Sequence, residues 1–434
     1  MSINPHVLLA TTCRWFSTAR LAVAFANLGC RVEVACPGGH PLLKTNAISR
    51  HYRYHGVRPL DSFRAAIRGG KPDIVIPCDD LATLHLHHLY SDEACSSDIC
   101  ALLERSLGRA DNFPFIDSKN RFMALAAEQG VRVPGTSVVE SLADVRAWLD
   151  QNGLPAVLKA DGTWGGVGIR IVKSVEEAER AFRKLKARPL AARAIKRAIA
   201  NRDTTLLLPY LRRDRATVSI QRYVSGRDAT STVATWQGNV LAGLSFEVLE
   251  KGDPTGPSSV LKLIENREMS AAVKKMVGRL GLSGLYGFDF VIEEHTRNAY
   301  LIEMNPRATQ TSHLCFGPGR HLTASMCAAL QEQPVREMLS VTEKDTIALF
   351  PQEWHRNPQS EYLRTAYHDV PWDQLALLRT SIKSRTREVS WWSSREKWTE
   401  MAARLRQRRE PSRSSTKVSN APASVSTVLR TRDQ

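Results

Sequence analysis

Residues 154–172 read LPAVLKADGTWGGVGIRIV. An apolar run ends at Lys159, a turn with glycines at 162, 165, 166 and 168 follows, and the apolar–polar alternation of IRIV closes the stretch. That order predicts strand, glycine-rich loop, strand. A strand lysine followed at once by such a loop offers one point charge and a row of accessible backbone N–H groups, which suits phosphate oxygens. It is not a Walker A loop, because no GK[ST] follows and the next element is a strand rather than a helix. The same glycines also serve an ordinary hairpin, so this stretch alone leaves both readings open.

Downstream, GLYGFDFVIEE (284–294) and NAYLIEMN (298–305) read as two strands joined by the short turn EHTRN. They carry Asp289, Glu303 and Asn305 between apolar neighbours. A solvated face of an antiparallel pair would explain such acids. Two acids and an amide converging from adjacent strands are instead costly unless a cation compensates them. Few hard oxygen ligands of this kind suit Mg²⁺, completed by water and substrate phosphate.

Between and before these units the elements alternate. Helices are predicted at Ser118–Gln129, stopped by Gly130, at 141–153, after the Ser174/Glu177 capping box, and at Ser270–Leu280. Residues 217–250 read as three strands with turns at Ser225–Gly226 and at 237–239. The first 115 residues give HVLLA, a helix over Ser17–Leu28, CRVEVAC and PDIVIP, an order that predicts a doubly wound parallel sheet. Its first loop, TTCRWFSTA, has no glycine, which excludes a dinucleotide fingerprint there.

Taken together, PAVLKADGTWGGVGIRIV, IQRYVSGRD, GLYGFDFVIEE and YLIEMNPR resemble, in order and spacing, the ATP-grasp superfamily over roughly residues 117–330. Carbamoyl phosphate synthase large subunits, biotin carboxylases and D-alanine–D-alanine ligases share this set. The resemblance implies an α/β chain: a Rossmann-like pre-ATP-grasp domain (1–115) and an ATP-grasp α+β domain (116–340) with a lid at about 134–224. A C-terminal extension (341–383) and a basic tail without regular structure (384–434) would follow. It assigns Lys159 and Lys119 to the phosphates of ATP. Gly165, Gly166 and Gly168 go to the loop closing over those phosphates. Gln221, Arg222, Tyr223 and Val224 go to the adenine-holding hinge, and Asp228 to the ribose. Asp289, Glu303 and Asn305 become ligands of Mg²⁺ (or Mn²⁺), with Arg307 beside the reacting phosphoryl group. Asp228 departs from the family's usual glutamate by one methylene, and the stretch between glycine loop and hinge is longer than the family pattern. No biotin-attachment sequence or second ATP-grasp half is present, so carboxylase and full carbamoyl phosphate synthase activities are not expected. The implied activity is ADP-forming ligation of a small-molecule carboxylate to an amine through an acylphosphate. A small-molecule kinase on the same fold and a non-catalytic ATP-binding protein are the alternatives. Ser258, Ser259, Lys262, Thr309 and His313 are second-substrate candidates.

Composition sets the outer bounds. The chain has 434 residues, 43% hydrophobic and 24% charged, enough for two to four domains and too apolar for wholesale disorder. Eight cysteines without a CxxC pair, and no signal-like or membrane-spanning run, predict a cytoplasmic protein with reduced thiols. The net charge of +16 is concentrated: eleven Lys/Arg against two acids in 183–215, and thirteen against five in 383–434. A specific nucleic-acid partner is therefore not expected. In the tail, Trp391, Trp398, Met401 and Leu405 share one helical face, ringed by Arg395, Lys397, Arg404 and Arg406. That face is expected to cap the preceding domain, with weak contact to an anionic surface as the alternative. A homodimer is compatible with the sequence. His85, His87 and His88 lack partners at ligand spacing and are expected on a helix surface.

Overall fold

The computed structural model describes residues 4–161, 168–187, 217–252, 256–336 and 338–381. Gly165, Gly166, most of the basic insertion and the tail's aromatic face lie outside those residues. The first sheet is parallel, in the order β3–β2–β1–β4, with β1 His6–Ala10, β2 Arg31–Cys36, β3 Arg50–Arg53 and β4 Ile74–Pro77. Every residue of β1 and β4 is buried. Alternate side chains feed two cores, Leu8 and Val75 on one face, Val7, Leu9, Ile74 and Ile76 on the other. This is why both strands read as unbroken apolar runs. Strand β3, RHYR, has no such signal because it is an edge strand paired only with β2, and its polar side chains face outward. The strand order reverses between β1 and β4, so a crevice opens at their carboxyl ends.

The second sheet is antiparallel, β5–β8–β6–β7, with β5 Thr136–Val139, β6 Ala156–Ala160, β7 Ile169–Val172 and β8 Val218–Arg222. Helices Leu142–Asn152 and Val175–Lys186 cover one face through Val145, Trp148, Leu149, Ala181 and Phe182, against Leu158 and Ile220. Leu158 points to these helices, so the period of two turns Lys159 to the opposite face. The full capping box is at Ser141/Asp144. At Ser174 the side chain accepts from Glu177 N, while the Glu177 carboxylate accepts from Lys173 N.

The third sheet has seven strands, ordered β13–β12–β9–β10–β11–β14–β15. They are β9 Gly226–Trp236, β10 Asn239–Lys251, β11 Ser258–Ile264, β12 Gly284–Glu293, β13 Ala299–Asn305, β14 Thr346–Ala348 and β15 Tyr367–His368. The segment beginning at 341 thus contributes two strands to this sheet. Gln237 (φ 49°) and Gly238 (φ 79°) make the β9–β10 turn, both in the left-handed region a two-residue hairpin loop requires. Helix Arg267–Leu280 starts three residues before the periodicity suggests, because Asn266 caps it by accepting from Met269 N at 3.0 Å.

One expectation about the histidines is corrected. His87 is buried rather than on a helix surface: its ring stacks on Phe113 with centroids 3.8 Å apart, and Nδ1 lies 2.7 Å from Asp117 Oδ1. The acid that satisfies it is thirty residues away in sequence, so local spacing could not show it. His85 is half-buried near Tyr54 and Phe63; only His88 is exposed.

Candidate active site

Strands β12 and β13 pair antiparallel with Asp289 directly opposite Glu303, and Gly287 opposite Asn305. Gly287 has to be glycine here, because a Cβ would stand 2.5 Å from the methyl of Thr309. Asn305 Nδ2 donates to Asp289 Oδ2 at 2.8 Å, so two acids and an amide do meet at one place. Two carboxylates side by side repel each other and lose hydration. Burial first, then Glu303, push the Asp289 carboxyl above its usual range. Burial also works to raise Glu303, but Lys119, followed by Lys159, outweighs it and holds that carboxyl below its usual range.

The compensating cations come from far along the chain. Lys119, the first residue of helix Lys119–Glu128, places Nζ 2.6 Å from Glu303 Oε1. Lys159, on the face of β6 away from helices Leu142–Asn152 and Val175–Lys186, donates from Nζ to Ile302 O at 3.1 Å. Burial, with the like charge of Lys119, lowers the Lys159 ammonium to about 8, against the opposing pull of Glu303 and Asp289. Just beyond β6, Asp161 accepts from Asn120 Nδ2 at 3.1 Å, and its buried Oδ1 has no hydrogen-bond partner among the described residues. Gly168, the described end of the glycine loop, is buried and its carbonyl accepts from Ala160 N.

Arg307 ties this cluster to the first sheet. Its Nε donates to Asp80 Oδ2 at 2.9 Å, Nη2 to Asn305 Oδ1 at 3.2 Å and Nη1 to Ala308 O at 3.3 Å. The guanidinium also lies over the Trp15 ring, 5.1 Å from its centroid. Asp80 opens helix Asp80–Tyr90, while its neighbour Asp79 caps that helix and accepts from Thr11 Oγ1, Thr12 N and Thr12 Oγ1. Thr83 Oγ1 donates to Pro306 O and Ala308 N to Pro77 O. Thus the carboxyl-end crevice between β1 and β4 faces the 305–308 segment. Asp80 and Trp15 escaped the reading of isolated motifs. The acid pair ending PDIVIPCDD, at the end of a buried strand, was the signal available.

The remaining predicted residues take other places. Asp228 lies on β9 opposite Val291, two residues from Thr230 and on the same strand face as Thr230, the partner of Asp289; it pairs with Lys251. The Gln221 side chain is buried and donates to Thr136 Oγ1. Arg222 N donates to Gly135 O, so the β8 ladder runs through Arg222 and Tyr223–Ser225 form the link into β9. Tyr223 is exposed and Val224 half-buried. The five second-substrate candidates each bond to a different partner. Ser259 donates to the buried Glu353, His313 pairs with Asp369, which Arg20 also holds, and Lys262 reaches Asp345. Thr309 donates to Thr232 Oγ1, and Ser258 accepts from Gln310 Nε2 through both its carbonyl and its hydroxyl. Gln310, three residues beyond Arg307, is the unforeseen member.

Residues 117–311 match the family model described as an ATP-grasp domain. The arginine-specific large chain of carbamoyl phosphate synthase from Geobacillus stearothermophilus is 24% identical over 265 residues, covering 58% of this chain but only 22% of that relative. The chain therefore spans less than a quarter of that relative's length. Among solved structures, the biotin carboxylase domain of Hydrogenobacter thermophilus 2-oxoglutarate carboxylase, in complex with MgADP, ADP and bicarbonate, superposes with a TM-score of 0.54. It is 16% identical, over 78% of this chain and 72% of that one. The L-amino acid ligase of Bacillus licheniformis gives 0.51 at 15% identity, over 77% and 78% of the two chains. Residues 117–311, which hold Lys159 on β6 and the paired acids of β12 and β13, thus form an ATP-grasp domain.

Proposed function

We propose that this chain is an ATP-dependent ligase that activates a substrate carboxylate as an acylphosphate and passes it to an amine, releasing ADP and phosphate. One observation carries the reading. Lys119 from helix Lys119–Glu128, Lys159 from β6 and Arg307 from the loop just after β13 converge on Asp289, Glu303 and Asn305. Such a cluster has little use in a static core, where buried ion pairs rarely repay their desolvation. It suits a polyanion whose charge shifts during reaction.

The donor set fits Mg²⁺, with Asp289, Glu303 and Asn305 as the ligands. Among the described residues no three His, Cys, Asp or Glu gather around a metal-sized position, so this would be a sparse oxygen site that shares its ion with a triphosphate. The ion would supply charge neutralisation at the β- and γ-phosphates. The chain's own residues then divide the work. Lys159 and Lys119 hold the phosphates, and Gln221, Arg222, Tyr223 and Val224, at the end of β8 and the start of the link into β9, receive the adenine. Asp228 takes the ribose, and Gly168 is the described member of the glycine set assigned to the phosphates. The carboxylate oxygen attacks the γ-phosphorus as its bond to the β-bridging oxygen breaks, and Arg307 stabilises the charge on the transferring group.

The test is an ADP-release screen over amino acids and small carboxylates, singly and in pairs. Release that requires a pair supports the ligase. Release with one acceptor and a stable phosphorylated product would make the chain a kinase, and ATP binding without release would make it a binder.

The depressed Lys159 ammonium gives a pH prediction. In the free protein it loses its proton near pH 8. A bound triphosphate favours the charged form and raises that value, so binding takes up a proton between about pH 8 and 10. ATP affinity therefore falls as pH rises through 8, and Lys159→Arg flattens the dependence. Calorimetry in two buffers of different ionisation enthalpy reads the proton directly. Equal heats in both at pH 8.5 would remove Lys159 from the phosphates.

A further inference from the structure

We infer that Cys95 and Cys100 form a reversible redox pair, closed to a disulfide by a hydroperoxide and reopened by a thiol. Their Sγ atoms are 2.7 Å apart, and both side chains are partly exposed. Five residues separate them: Cys95 ends the turn that follows helix Asp80–Tyr90, and Cys100 lies in the first turn of helix Ser97–Leu107. The turn is held by Cys95 N donating to Asp92 O, and Asp92 is in turn fixed by Arg64 at 2.5 Å. Cys100 N donates to Ser96 O as the helix starts. The two sulfurs are thus brought together by backbone that is already ordered, so closure demands little rearrangement.

The chain contains its own contrast. Cys30 and Cys327 also approach, to 2.9 Å, but both are buried, 7% and 6% exposed, between the end of helix Phe16–Asn27 and helix Leu322–Gln331. Proximity is shared by the two pairs; access to an oxidant belongs to the outer one. Oxidation follows thiolate character and exposure together. Within the outer pair, burial and the neighbouring Cys100 push the Cys95 thiol up to about 12, which leaves Cys100 as the attacking sulfur.

The chemistry balances with the hydroperoxide as the only co-reactant. The Cys100 thiolate attacks the terminal peroxide oxygen, the O–O bond breaks, and the departing oxygen leaves as water or alcohol after taking a proton. Cys95 sulfur then attacks the resulting sulfenic acid: an S–S bond forms, the S–O bond breaks, and that oxygen leaves as water with the Cys95 proton. Two thiols lose two electrons and the peroxide gains them. This inference does not depend on the proposed ligase activity.

The experiment treats the full-length folded protein with hydrogen peroxide, blocks remaining thiols with iodoacetamide, and maps cysteine peptides by mass. The expected result is a peptide lacking two hydrogens and unalkylated at Cys95 and Cys100, restored by dithiothreitol. Cys30 and Cys327 should accept iodoacetamide only after denaturation and without prior oxidation. Cys95→Ser should stall Cys100 at the sulfenic acid, trapped by dimedone. If Cys95 and Cys100 stay alkylatable at peroxide doses that oxidise Cys13 or the methionines, or if Cys30–Cys327 closes first, the inference is overturned.

Discussion

Glu303→Gln is expected to abolish substrate-dependent ADP release, a loss on the order of 10²–10³-fold or more in kcat. Glu303 faces Asp289 across the strand pair and holds Lys119 at 2.6 Å, so it is the common member of the acid pair and the lysine pair. Glutamine keeps the shape and removes one charge. Two consequences have opposite signs. Asp289 is relieved of its nearest like charge, which lets its carboxyl return toward the ordinary range. Lys119 loses the carboxylate that outweighs its burial. Breaking such a pair costs about 1–3 kcal/mol, less than for a fully buried pair because both groups touch solvent. The variant should therefore melt at a somewhat lower temperature yet fold. The decisive reading is ATP affinity with and without Mg²⁺. In the parent chain Mg²⁺ should tighten ATP binding; in Glu303→Gln it should not. A variant whose ATP affinity still responds to Mg²⁺ like the parent's would remove Glu303 from the metal site, whatever its turnover.

Arg307→Ala should produce the second largest effect, about a 10²-fold fall in turnover with ATP affinity changed only a few-fold. The asymmetry follows from where Arg307 points. It is held by Asp80, Asn305 and the Trp15 ring, on the first-sheet side of the acid cluster that Lys119 and Lys159 approach from other elements. It should act on charge that develops during transfer more than on bound ATP. Asp80→Asn keeps a hydrogen-bond acceptor but drops the charge, so it should lie between parent and Arg307→Ala, with a loss in kcat and little change in the KM for ATP. That split separates orientation of Arg307 from a general weakening of the fold, which would lower Tm and disturb both constants. Equal losses in ATP affinity and turnover would assign Arg307 to the ground-state phosphates instead.

Much of this molecule was legible before any coordinates. The apolar runs of β1 and β4, the helix at 119–128 and the strand pair around Asp289 and Glu303 follow from local periodicity, because those patterns are set by burial of residues near in sequence. Strand β3 could not be read, since RHYR draws its order from pairing with β2 rather than from any pattern of its own. The same holds for β14 and β15, three and two residues long, which take their order from pairing on β11 and then on β14. His87 was misplaced for the matching reason, its partner Asp117 being remote.

The sequence by itself determined which chemical groups this protein brings to its candidate site: a lysine before a glycine loop, two strand acids with an amide, and an arginine just after them. Side-chain type and short spacing are local properties, and the chain states them directly. Only the tertiary structure decided how those groups meet: Lys119 on Glu303, Lys159 at Ile302, and Arg307 clamped by Asp80. Each of those contacts joins residues more than a hundred positions apart. Such meetings depend on sheet order and on the crevice where that order reverses, and no short stretch of chain encodes them.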